Sequence, residues 1–82
     1  MTTGAKNTGN AARISMLLLL DIVGSLASDK PLPRWNFDHA WSGKWNDHRD
    51  CHVRPDLVLI YRKPDHLSLE LVRLGSHSEL GL

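Results

Sequence analysis

The sequence predicts an α+β domain in which one apolar helix packs on a small antiparallel β-meander. Three observations carry that expectation. Apolar residues crowd positions 14–26 at helical spacing. Runs rich in β-branched and aromatic side chains follow between residues 45 and 74. Short turns containing proline, glycine or aspartate separate those runs, and consecutive strands joined by short turns pair antiparallel.

Each element has its own signal. Residues 1–10 are Thr, Gly and Asn with one Lys and no apolar period, so a disordered N-terminal segment is expected there. Residues 11–28 read as a helix capped by Asn10, with Met16, Leu19, Leu20, Val23 and Leu26 on one stripe. Ile14, Leu17 and Leu18 widen the stripe, so this helix calls for burial on more than one side. Asp29-Lys30-Pro31-Leu32-Pro33 ends it, because proline cannot supply the amide a continuing helix needs. Asp21 interrupts the apolar run, which argues against a membrane span and against a signal peptide. Residues 34–47 read as a loop with a turn at Ser42-Gly43. Strands are expected over 45–53, 57–63 and 67–74, separated by Arg54-Pro55-Asp56 and Lys63-Pro64-Asp65-His66. The last has Leu67, Leu69 and Leu71 on one face. Residues 77–82 read as a short tail, so 11–82 form the single domain.

At 82 residues the chain makes one domain at most. A domain this small buries only about 60–65% of its unfolded surface, which leaves its core marginal and open to support from a tight partner. The net charge of +1 excludes a strongly basic nucleic-acid binder at the level of totals. A basic face is still expected to form in three dimensions from Arg49, Arg54, Arg62, Lys63 and Arg73. One cysteine forms no internal disulfide, which favours a reducing cytoplasm.

The stretch Asp38–Tyr61 concentrates the chemistry. It holds three of the five histidines, two of the three tryptophans, and the only cysteine and tyrosine. On an extended strand, His48, Asp50 and His52 share one face, and Arg49, Cys51 and Val53 the other. The meander brings His52 and Asp56 to the end of the sheet that carries Arg73 and His77. Two imidazoles, a carboxylate and a guanidinium suit RNA phosphodiester cleavage. Histidine titrates near neutrality and so transfers protons well, and arginine presents fixed donors to phosphate oxygens. The rival chemical reading is a metal site at His48, Cys51 and His52 with His39. Strand alternation turns Cys51 away from the two histidines, and no second ligand pair stands at zinc spacing. Trp35, Trp41 and Trp45 read first as core or interface anchors, with base stacking as the functional alternative. Arg49–Asp50 reads as a solvated surface pair, and Cys51 as a small buried hydrophobe.

One family combines these motifs. Pro31-Leu32-Pro33, Asp38-His39, Gly43-Lys44-Trp45, Arg49-Asp50-Cys51-His52-Val53-Arg54-Pro55-Asp56, Leu59-Ile60-Tyr61 and Arg73-Leu74-Gly75-Ser76-His77 together resemble the YafQ branch of the RelE-type bacterial toxins. The likeness covers roughly residues 30–80. It implies a type II toxin, an endoribonuclease that cleaves mRNA in the ribosomal A site by acid–base catalysis, without metal or other cofactor. It also implies an antitoxin partner from the same operon, and contact with operator DNA only through that partner. Carried onto this sequence, the catalytic set is His39, His52, Asp56, Arg73 and His77. His77 is the expected general acid and Arg73 the phosphate ligand. Asp56 and His39 fall on the base side, with His52 orienting or sharing that role. The chain departs from the family in two ways. The usual first strand and first helix are replaced by residues 1–10, so a shortened, RelE-like domain is expected. Leu57 and Gly81 stand where the family often has aromatic residues, which removes base-stacking surface. The rival functions are an impaired homologue that only binds antitoxin or ribosome, and a small metal-binding or secreted protein.

Overall fold

The computed structural model describes the backbone of residues 2–82 and the side chains of residues 11–82. The backbone of residues 2–10, expected as a disordered segment ahead of a helix capped by Asn10, is helical. The order is helix α1 (Thr2–Ala27), a 3-10 turn (Arg34–Asn36), β1 (His39–Ala40), a second 3-10 turn (Gly43–Trp45), β2 (His48–Arg54), β3 (Leu57–Arg62), β4 (Glu70–Gly75) and α2 (His77–Leu80). The four strands form one antiparallel sheet in the order β1-β2-β3-β4. The predicted helix on a meander is therefore the fold.

The helix ends through its backbone as well as through the prolines. Asp29 takes a left-handed conformation (φ 56°), Lys30 N–H returns to Ser25 O at 2.8 Å and Asp29 N–H to Leu26 O at 3.2 Å. That pair of bonds is the usual closure of a helix whose last carbonyls would otherwise lack partners. Lys63 adds its ammonium to Leu26 O at 2.6 Å and pairs with the Asp29 carboxylate. The side chain just past β3 thus ties the end of α1 to the sheet.

Ile22 and Leu26 of α1 join Cys51, Val53, Leu59 and Tyr61 in the buried core, flanked by Leu19, Leu32, Leu57 and Leu69. This stripe differs from the expected one. Leu19, Ile22 and Leu26 face the sheet, while Met16 and Leu20 stay 56% and 58% exposed and Ile14 and Leu17 are also exposed. The helix crosses the sheet near β2, and among its described residues Leu19, Ile22 and Leu26 meet the core. Burial of the Cys51 thiol pushes its pKa up to about 12, consistent with a packing role.

Four expectations need correction. The sheet has four strands, because the 34–47 stretch contains the two-residue strand β1, too short to show an alternating pattern. The strand expected over 45–53 begins only at His48, after the 3-10 turn that ends at Trp45. The third run starts at Glu70, and Leu67 is 98% exposed outside it. Residues 77–80 are helix α2, not a tail. Ser76 caps it: its hydroxyl accepts from Glu79 N–H at 3.2 Å, and Glu79 Oε1 accepts from Ser76 N–H at 2.8 Å. This reciprocal pair is a capping box whose Ser-x-x-Glu signature was present in the sequence. Gly81 closes α2 at φ 74°, a conformation that L side chains avoid, which accounts for glycine at that position.

Candidate active site

The register places the chemistry. Directly opposed residues on paired strands share a face of the sheet. His39 opposes Asp50, Asp50 opposes Ile60, and Ile60 opposes Arg73. One row of side chains thus runs across all four strands, on the face away from α1. The next row holds His52, Val58 and Gly75. Just past Gly75, the start of α2 brings His77 back over this face. The alternation read from the sequence is observed: His48, Asp50 and His52 lie on the site face, and Cys51 and Val53 in the core.

His39, Trp41, Trp45, Asp50, His52 and His77 line one open cleft of about 530 Å³. The rings of His52 and His77 are 5.0 Å apart, and Phe37, in a left-handed conformation at φ 47°, sets its ring 5.4 Å from His52. Asn36 is buried and donates to the His52 carbonyl at 2.7 Å, which fixes the strand at that point.

Of the two flanking histidines, His77 has one ring nitrogen occupied and His39 has both. His77 Nδ1 meets Asp56 Oδ1 at 3.1 Å, and the same oxygen accepts from His77 backbone N–H at 3.4 Å. Those bonds hold the Asp56 carboxyl below its ordinary range, the side-chain bond from His77 being the main cause. Asp56 is therefore an anion that makes Nδ1 the donor and leaves Nε2 of His77 available. His39 Nδ1 faces the Phe37 carbonyl at 2.9 Å, and its Nε2 lies 3.4 Å from Asp50 Oδ2. Asp50 also accepts from Trp41 Nε1, at 2.6 Å. Asp50 is 4% exposed, so it is a buried carboxylate behind His39 and not half of a solvated pair with Arg49.

Arg49 lies on the other face, in a clamp. Tyr61 donates its hydroxyl to Asp38 Oδ1 at 2.5 Å, and Arg49 Nε reaches the same oxygen at 3.3 Å and the Tyr61 hydroxyl at 3.2 Å. Burial first, and the Asp38 carboxylate second, push the Tyr61 phenol well above its ordinary pKa. The clamp pins the residue before β1 to the helix side of the sheet. His39, one residue on, must then point to the opposite side, at Asp50.

The other expected basic residues are also engaged within the chain. Arg54 donates to Ser15 at 3.3 Å, Arg62 bridges Asp47 and Glu70 at 3.2 and 3.0 Å, and Lys63 caps α1. None of the four lines the cleft. Arg73 shares the site face beside α2. The Glu79 carboxyl there is lowered chiefly by Ser76 N–H, with a smaller contribution from the Arg73 charge. Among the described residues, no three His, Cys, Asp or Glu side chains are grouped to hold a metal ion. No described helix is long and apolar enough to cross a membrane.

With this geometry in place, comparison with known proteins is decisive. Residues 4–81 match the family described as the bacterial toxin of type II toxin-antitoxin system, YafQ. The chain belongs to the YafQ toxin family. Its relatives include the mRNA interferase toxin YafQ of Escherichia coli K12, 46% identical over 50 residues, which are 61% of this chain and 53% of that protein. The chain spans about half the length of the curated relatives it matches. Among solved structures, the E. coli DinJ-YafQ complex matches with a TM-score of 0.71 and 38% identity, covering 79% of this chain and 72% of the other. A metal-bound toxin from Helicobacter pylori matches with a TM-score of 0.71 and 48% identity, covering 79% and 73%. These solved relatives share the helix-on-meander fold, as a RelE-like toxin should.

Proposed function

We propose that this chain is the toxin of a type II pair and cleaves mRNA on the ribosome by acid–base catalysis within the cleft. The convergence of three histidines on one cleft, two of them with carboxylates behind their rings, carries this reading. The name of the E. coli relative and the solved E. coli DinJ-YafQ toxin-antitoxin complex support it. In the proposed reaction, a base on the β1 side removes the ribose 2′-OH proton, and the oxygen attacks the adjacent phosphorus. A 2′,3′-cyclic phosphate forms as the P–O5′ bond breaks, and His77 Nε2 gives its proton to the leaving oxygen. Asp50 orients His39 at Nε2, and His39 Nδ1 is the base once substrate displaces it from the Phe37 carbonyl. Asp56 positions His77, and so acts on the acid side. His52, between Phe37 and His77, helps place the scissile group. Arg73 holds the phosphate, since arginine offers planar donors to its oxygens. An antitoxin neutralises the chain in the cytoplasm and mediates any contact with operator DNA.

The test uses purified, folded chain and ribosomes programmed with a defined message. Primer extension is expected to map new 5′ ends within the A-site codon. Intact mRNA from folded protein would contradict the enzyme reading and leave a module that binds antitoxin or ribosome without cleaving.

A further inference from the structure

We propose that Trp41 and Trp45, backed by the His48 ring, form a nucleobase-stacking subsite on the wall of the cleft, taking a purine of the substrate RNA. The proposal rests on the reading of this cleft as RNA-cleaving and adds a binding site to it.

The arrangement of the rings is the first argument. The Trp41 and His48 rings lie nearly parallel, 22° apart with centroids at 5.7 Å, and Trp45 meets His48 edge-on at 82° and 5.5 Å. Two anchors fix the group. Trp41 backbone N–H donates to His48 O at 2.9 Å, and its indole N–H donates to Asp50 Oδ2 at 2.6 Å. His48 Nδ1 is held by Asp47 at 2.9 Å. The rings are thus ordered before any ligand arrives, which lowers the entropy lost on binding.

Exposure is the second argument. Tryptophan read as a core anchor ought to be buried. Trp45 is instead 55% exposed, on a cleft wall, although neighbouring rings hold it. An indole in that state offers a flat π surface to a ligand, and every nucleobase presents a matching one. Lys44 Nζ lies over one face of the Trp45 ring, 5.7 Å from its centroid, so a base would stack on the other face with a cation close by. A planar base with a phosphate attached fits both features.

Continuity with the acid–base groups is the third. Asp50 Oδ2 contacts both Trp41 Nε1 and His39 Nε2. One oxygen therefore sets the tilt of the indole and the imidazole together. A base stacked on this wall would carry its own ribose towards His39. Purines present more stacking area than pyrimidines, so they are favoured here.

The experiment uses the full chain with Trp35→Phe, which removes the 74% exposed indole lying outside this cleft. Indole fluorescence is titrated with oligodeoxyadenylate, which lacks the attacking 2′-OH, and with an abasic strand of equal length and charge. Oligodeoxyadenylate is expected to quench and to bind about tenfold tighter or more than the abasic strand, in line with alanine scans of base-stacking aromatics. Trp45→Ala should lose that preference, Trp45→Phe should retain most of it, and oligodeoxythymidylate should bind more weakly than oligodeoxyadenylate. Equal binding of the abasic strand, or an unchanged preference in Trp45→Ala with an unchanged circular dichroism spectrum, would overturn the subsite. Base-dependent binding by a chain that leaves programmed mRNA intact would instead overturn the nuclease reading and keep the subsite.

Discussion

His77→Ala is expected to slow cleavage of ribosome-bound mRNA by about 10²–10⁴-fold, the usual range for loss of a general acid. The fold should survive the change. His77 is the first residue of α2, its side chain is 40% exposed, and alanine suits a helix. The pH profile adds a separate signature. The bond from His77 holds the Asp56 carboxyl below its ordinary value, so this contact is fully present above the ordinary carboxylate range. That contact is lost only as pH falls through the lowered value. Between about pH 5 and 8 Asp56 stays ionised and contributes no limb to the profile. Asp56→Ala is therefore expected to lower the rate throughout that window without removing a limb from the profile. A limb that disappears in Asp56→Ala would assign proton transfer to Asp56 itself.

Asp50→Ala is expected to act on structure and on rate. The carboxylate is buried, and its removal leaves the Trp41 indole N–H and the inner side of His39 without their acceptor. An unsatisfied buried donor costs about 1–3 kcal/mol, a large share of the stability of a domain this size. The Trp41 indole proton should lose its protection from hydrogen exchange, read by NMR, and cleavage should fall at least about tenfold as His39 loses its orientation. Asp50→Asn keeps an acceptor for Trp41 and removes the charge beside His39. It should restore most of the indole protection while leaving the rate low. Restoration of both together would reduce Asp50 to a packing role.

Much of the site was legible because strand geometry is simple. The period of two put His48, Asp50 and His52 on one face, and the meander brought His52 and Asp56 to His77. Other features depended on contacts that no local pattern encodes. A two-residue strand such as β1 has no period to detect. The period of two separates Asp50 from Arg49, but the burial of Asp50 comes from His39 and Trp41, which that period does not place. Arg54, Arg62 and Lys63 looked available because their partners Ser15, Asp47, Glu70 and Asp29 come from other elements. The exposure of Met16 and Leu20 follows from where α1 crosses the sheet, which helical spacing does not give. Helix α2 was readable, since Ser76 and Glu79 stood at capping-box spacing.

The central claim is that this cleft promotes attack by a ribose 2′-oxygen on the neighbouring phosphate. The most direct measurement places a single 2′-deoxynucleotide at the cleaved position of the A-site codon and leaves the protein unchanged. The account predicts that cleavage at that phosphate disappears while the all-ribose message is cut to a fragment ending in a 2′,3′-cyclic phosphate. Continued cleavage at the deoxy position would mean that water or another nucleophile attacks, and would contradict the account.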